Sequence, residues 1–331
     1  MEAGVIGEQS AQTDVRTPDG KRLAVEVTGA PDGSPVFLLH GTPGSRSGIK
    51  PRGILLYRQG VRLICYDRPG YGRSERREGR RVVDAAADVE AIADALEIDR
   101  FAVVGRSGGG PHALAVAAML PQRVTRAAVL VSIAPADAAG LDWYRGMSAS
   151  NVDEYQAADT DRGSLMASLT SQADRMRRDP ESLVAFLDKE LSDPDRRVIG
   201  NVAMRRKITD SYAEAVRYGA EGWIDDALAF RRNWGFEPSS IRVPVRLWHG
   251  ADDQFSPVSH THWLAAQIRG AEIEVAQGAG HFAAVEILPR MLTWLTETGV
   301  VAADKPAATV QPIRTGAGRA PGTPVVLRAA R

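Results

Sequence analysis

Short apolar, β-rich runs alternate with helical patterns along most of this chain, and no other feature constrains its fold as strongly. The runs are "VFLLH" (36–40), "VRLICYD" (61–67), "FAVVG" (101–105) and "RAAVLVSI" (126–133). Between them lie helical patterns, notably "VVDAAADVEAIADALEI" (82–98) and "GPHALAVAAMLP" (110–121). A short strand that is apolar nearly throughout is buried on both faces, and strand–helix alternation supplies the helices that cover it. The expected architecture is therefore α/β, with a mostly parallel central sheet flanked by helices. A hairpin precedes it, "QTDVRT" and "KRLAVEV" around the turn "PDG", with Gly20 at the bend.

The alternation stops at about residue 136 and resumes near 239. The intervening segments, such as "SLVAFLDKEL" (182–191), read as helical and charge-rich with no convincing strand. Then follow "VPVRLWHG" (243–250), a helix at about 258–269, "AEIEVA" (271–276) and a helix at about 282–297. The expected organisation is a core over 1–135 and 239–300, interrupted by an all-helical cap at 136–238. Residues 301–331, rich in Ala, Pro, Gly and Thr without periodicity, are expected to be a disordered tail.

Composition narrows the function classes. Lys plus Arg and Asp plus Glu balance at 41 each among 331 residues, so no global field favours nucleic acid or an anionic membrane. The lone Cys65 excludes an intramolecular disulfide and a cysteine-built metal site. "MEAGVIGEQS" lacks a basic segment followed by a long apolar one, and no stretch approaches a membrane span. A cytoplasmic protein acting on a small molecule, without metal or organic cofactor, is expected.

Ser107 stands in Gly105-Arg106-Ser107-Gly108-Gly109, between a predicted strand and a predicted helix. Glycines there permit a sharp turn with close backbone approach. The turn projects the hydroxyl from the sheet end and leaves the first helical N–H groups free to face an anion. A helix N-cap in a Gly-rich turn is the plain alternative. A serine nucleophile needs a base and an acid that orients it. Of six histidines, His281 in "GAGHFAAVE" alone lies late in the chain, in a loop after the last predicted strand. His40 and His249 end strands and suit packing or backbone bonding, His112 lies inside the helix after the serine, and His260 and His262 begin a helix and are expected to be exposed. The acid is open among Asp252 and Asp253, in the turn after 243–249, and Asp137.

The set "HGTPGSR", "YDRPGYGRS", "GRSGGGPHALA", "HGADDQFSP" and "GAGHF" resembles the α/β-hydrolase superfamily over roughly residues 12–298. That resemblance implies the α/β-hydrolase fold and a Ser107–Asp253–His281 triad. It selects Asp253 over Asp252 because the family's G-x-x-D with a proline four residues on matches Gly250, Asp253 and Pro257. It also implies an oxyanion hole from the N–H of Gly108 and of the loop after His40-Gly41; Pro43 has no N–H, which leaves Thr42. The resulting expectation is a cofactor-independent serine hydrolase of a carboxylic ester or lactone. Proline-iminopeptidase-like, carbon–carbon bond and haloperoxidase-like members share these parts, and a small-molecule receptor could retain the fold. Epoxide hydrolases and haloalkane dehalogenases normally carry aspartate where Ser107 stands. Within the insertion, Trp143, Tyr144, Tyr155, Trp223 and Trp234 offer apolar surface, and one or two of them, the tryptophans foremost, are expected to contact substrate. "DRPGYGRS" is read as shaping a loop near the site, and Arg177-Arg178 and Arg205-Arg206-Lys207 as solvated faces.

Overall fold

The computed structural model describes residues 10–297. The tail expected at 301–331 lies outside the described residues. The hairpin pairs β1 (Ala11–Arg16) with β2 (Arg22–Gly29). Then come β3 (Ser34–Leu39), α1 (Gly53–Arg58), β4 (Val61–Tyr66), α2 (Ala85–Ala95), β5 (Phe101–Arg106), α3 (Gly109–Met119) and β6 (Val124–Leu130). After the insertion follow β7 (Val245–Gly250), α10 (Val258–Gln267), β8 (Glu272–Ala276) and α11 (Ala284–Thr296). The eight strands form one sheet in the order β1-β2-β4-β3-β5-β6-β7-β8. Only the β1–β2 and β2–β4 pairs are antiparallel.

Period two explains the apolar runs. Phe37, Leu39, Ile64, Tyr66, Phe101 and Val103 point into one core with α2, α3 and α10. Their neighbours Val36, Leu38, Leu63, Cys65, Ala102 and Val104 point into a second core with α1 and α11. Every residue of such a strand faces apolar packing, so the run shows no polar alternation. The six-residue α1 was not foreseen; Ile54, Leu55 and Tyr57 are exposed and only Leu56 is buried, so no apolar stripe marks it.

Between β6 and β7 the chain forms six α-helices and no strand. They are α4 (Ala149–Thr160), α5 (Arg162–Arg178), α6 (Glu181–Leu187), α7 (Asp193–Ile199), α8 (Val202–Ala215) and α9 (Glu221–Arg231). Leu165, Leu169, Met176, Trp223 and Ile224 gather there around Tyr71 of the β4–α2 loop. A smaller cluster joins Val184, Ile199 and Ile208 to Ile49, Phe255 and Phe282. Both clusters anchor the helices on loops at the carboxyl ends of the parallel strands, where ligand sites of such sheets form.

Candidate active site

Ser107 follows β5 directly and has φ 53°, a left-handed conformation that costs a non-glycine residue about 1–2 kcal/mol. Two bonds hold it there: its N–H donates to Leu130 O at 2.8 Å, and Gly110 N–H donates to Ser107 O at 2.8 Å. Strain fixed in this way aims the side chain. The hydroxyl-bearing residue lines a cavity of about 780 Å³, open mouth included, whose wall also contains His281.

His281 stands in the loop between β8 and α11, and its Nδ1 lies 2.8 Å from Asp253 Oδ2. A carboxylate there fixes the neutral ring with its proton on Nδ1 and leaves Nε2 as a proton acceptor. Asp253, in the turn after β7, is buried, and its Oδ1 accepts from the N–H groups of Phe255 and Ser256 at 2.8 and 2.9 Å. Burial pushes this carboxyl upward, but its electrostatic pairing with the His281 ring and hydrogen bonds from His249 and His281 hold it well below the ordinary carboxylate range. His249 therefore does more than pack. Its Nε2 bonds Ser256 O at 2.5 Å and lies 3.2 Å from Asp253 Oδ2, while Nδ1 accepts from Thr261 Oγ1 at 2.6 Å. Asp252 and Asp137 are exposed; Asp252 contributes an N–H to Ala279 O at 2.9 Å.

Thr42 and Gly108 meet beside Ser107 on the cavity wall. A Cβ on Gly108 would fall 2.2 Å from Thr42 Oγ1, so only glycine permits the approach. Neither N–H has a hydrogen-bond partner among the described residues. The Thr42 loop is held from below by Asp226 of α9, a residue the sequence did not single out. Asp226 Oδ2 accepts from Thr42 Oγ1 and Arg68 Nη2 at 2.6 Å and from Tyr71 OH at 2.9 Å. Its Oδ1 faces Arg80 at 2.6 Å and His112 Nε2 at 3.2 Å. Burial raises this carboxyl, and the Arg68 and Arg80 charges more than reverse that. Arg68 also donates to Gly41 O at 2.9 Å and to His40 O. The "DRPGYGRS" loop thus braces the Thr42 loop without itself lining the cavity.

Of the three tryptophans, Trp223 lines the cavity and the other two do not. Trp143 donates to Ala134 O at 3.0 Å, stacks edge-on against Tyr155 and lies under Arg231 at 4.4 Å. Trp234 is buried in the main core beside Phe236. Both indoles fill space that the helices must close. Tyr155, Phe255 and Phe282 supply aromatic wall instead. The expectation of an exposed His260 is corrected: it is fully buried, its Nδ1 accepts from Ala134 N–H at 3.0 Å and its Nε2 donates to Trp143 O at 2.9 Å. Burial lowers it to about 4. His262 is exposed. Arg177, Arg178, Arg206 and Lys207 are exposed, and none lines the cavity. No group of three or more His, Cys, Asp or Glu among the described residues is arranged to hold a metal.

Sequence reasoning missed Asp195 of α7. It is fully buried and grips the loop that carries His281: Oδ2 accepts from His281 N–H at 3.1 Å, and Oδ1 accepts from Phe282 N–H at 2.7 Å. Ser192 Oγ adds a bond to Oδ2 at 2.9 Å. A Cβ on Gly280 would lie 2.4–2.5 Å from this carboxylate, which accounts for the glycine before His281. In the sequence, "SDPD" reads only as an acidic helix start.

Residues 34–286 match the family model described as alpha/beta hydrolase fold. The chain is 33% identical over 272 residues to a non-heme chloroperoxidase of Streptomyces lividans, covering 81% of this chain and 92% of that one. It is 29% identical over 303 residues to a proline iminopeptidase of Neisseria gonorrhoeae, covering 81% and 93%. Among solved structures, the enol-lactonase of Burkholderia xenovorans LB400 superposes with a TM-score of 0.61 at 20% identity, covering 86% of this chain and 98% of that one; this likeness speaks for the fold alone. With a family match spanning most of its length, and with the sheet order and connections described above, the chain belongs to the α/β-hydrolase family.

Proposed function

We propose that the protein is a cofactor-independent serine hydrolase that cleaves a carboxylic ester or lactone through an acyl-enzyme, with α4–α9 as a cap over the cavity. The observation that carries this reading is Ser107, held at positive φ between β5 and α3, in one cavity with a His281 that Asp253 orients. Ser107 Oγ attacks the carbonyl carbon as His281 Nε2 takes its proton. The carbonyl electron pair moves to oxygen, where the Thr42 and Gly108 N–H groups receive it; one such donor is worth about 3 kcal/mol in the transition state. Collapse expels the alkoxide, which His281 protonates. Water, deprotonated by the same ring, then releases the acid.

A panel of esters, lactones, carboxamides and aryl amides tests the substrate class. The highest kcat/KM is expected on an ester or lactone; turnover confined to amides would contradict it. Activity is expected to survive dialysis against a chelator, and loss restored by a divalent ion would contradict the cofactor-independent mechanism.

Asp195 acts in this scheme as a positioning residue. Asp195→Asn keeps the size but turns an amide N–H₂ toward one of two backbone donors, so the His281 loop loses one acceptor. A fall in kcat of about tenfold or more is expected, with KM little changed. Gly280→Ala attacks the same contact from the other side. The two losses are expected to be strongly non-additive in a double-mutant cycle on kcat, as for groups in direct contact. Additive losses, or losses that merely track thermal stability, would make Asp195 a general packing residue.

A further inference from the structure

One ionisable group in the cavity wall has no part in the scheme above. Glu154 of α4 lines the same cavity as Ser107 and His281, and it is the one carboxyl among the lining residues. Its two oxygens share a single donor, Trp223 Nε1, 3.1 Å from each. A carboxylate offers about four acceptor positions, so one indole N–H leaves most of the group unsatisfied on its cavity side. Among the described residues, no Lys or Arg lines the cavity. The ionisable groups around it are Tyr155 on its own helix, Tyr212 of α8, Asp226 of α9 and His281. Asp226 adds negative charge nearby, and its own cations, Arg68 and Arg80, are engaged with it. Burial pushes the Glu154 carboxyl up to about 8, against the Trp223 hydrogen bond and with the help of the Asp226 charge.

We propose that Glu154 determines specificity, and that the preferred substrate carries an ammonium group that pairs with its carboxylate while the scissile carbonyl lies at Ser107. This rests on the serine-hydrolase reading. A half-buried carboxylate that faces a cavity without a cation is an unfavourable arrangement, and none of the described residues that line this cavity supplies a permanent positive charge. A substrate ammonium brings the missing charge and up to three donors, in short charge-assisted bonds. Ionising Glu154 to receive it at pH 7 costs about tenfold in population, a small penalty beside a well-made ion pair. A substrate carrying a carboxylate would meet like charge at the same point.

The test compares p-nitrophenyl esters of equal length whose acyl chains end in ammonium or in methyl. A second pair places the same ends on the alcohol. The wild type is expected to favour the ammonium end in one of the pairs by about tenfold or more in kcat/KM at about pH 9. That ratio should fall as the pH drops through about 8, because Glu154 is then protonated. In Glu154→Gln the ratio should be near or below one and flat with pH. In Trp223→Phe, which removes the one donor to Glu154 among the described residues, the rise should move to higher pH. Thermal melts of both variants separate these effects from unfolding. A wild type that favours methyl in both pairs at every pH, or a ratio unchanged by Glu154→Gln, overturns the proposal. Wild-type turnover of the methyl-ended esters and fluorophosphonate labelling of Ser107 would, in that event, leave the serine-hydrolase reading standing. Absence of both would remove that reading and this proposal together.

Discussion

Ser107→Ala is expected to lower kcat on the best ester by about 10⁶, the scale seen when a triad nucleophile is removed. The fold should be kept, because alanine meets the same left-handed strain and the turn is held by main-chain bonds to Leu130 and Gly110. Thermal melts should therefore be nearly superimposable while turnover collapses. Weak residual hydrolysis above the water rate is consistent with the scheme, since the Thr42 and Gly108 donors remain. A variant that keeps more than about a hundredth of the activity would place the nucleophile elsewhere.

The second large effect belongs to the acid. Asp253→Asn is expected to cost about 10⁴ in kcat. Oδ1 would still accept from the N–H groups of Phe255 and Ser256. The amide nitrogen would then take the Oδ2 place, facing His281 Nδ1 and His249 Nε2. Two N–H groups cannot face each other, so the His281 ring would shift its proton to Nε2 and lose the lone pair that receives the serine proton. Asp252→Asn, at an exposed side chain, should change kcat less than about threefold. Kinetics of the two variants side by side decide the point, and equal or reversed losses would refute the assignment to Asp253.

The fold was legible because its information is local and periodic. Doubly buried strands carry apolar residues at every position, as Val103 and Ala102 show by entering opposite cores. The strand–turn–helix placement of Ser107 was legible for the same reason, as those elements are contiguous. The ring–carboxylate pair between His281 and Asp253 joins residues 28 apart and was reached only through resemblance. Asp195 and Asp226 were not legible. Their partners lie 86 and 184 residues away at His281 and Thr42, and a helical acid looks the same whether it faces water or a buried loop. His260 could have been read better: with Leu264 and Ile268 it forms an i, i+4, i+8 stripe, all three buried. The tryptophans could not, since an indole closing a core and an indole walling a cavity have the same local sequence signature.

Mapping a covalent adduct decides whether position 107 carries an activated serine. The protein would be treated with a small fluorophosphonate, digested and analysed by mass spectrometry, beside Ser107→Ala. One phosphonylated peptide, modified at Ser107, is expected, with no adduct in the variant. An adduct on another residue, or labelling that persists unchanged in Ser107→Ala, would contradict it.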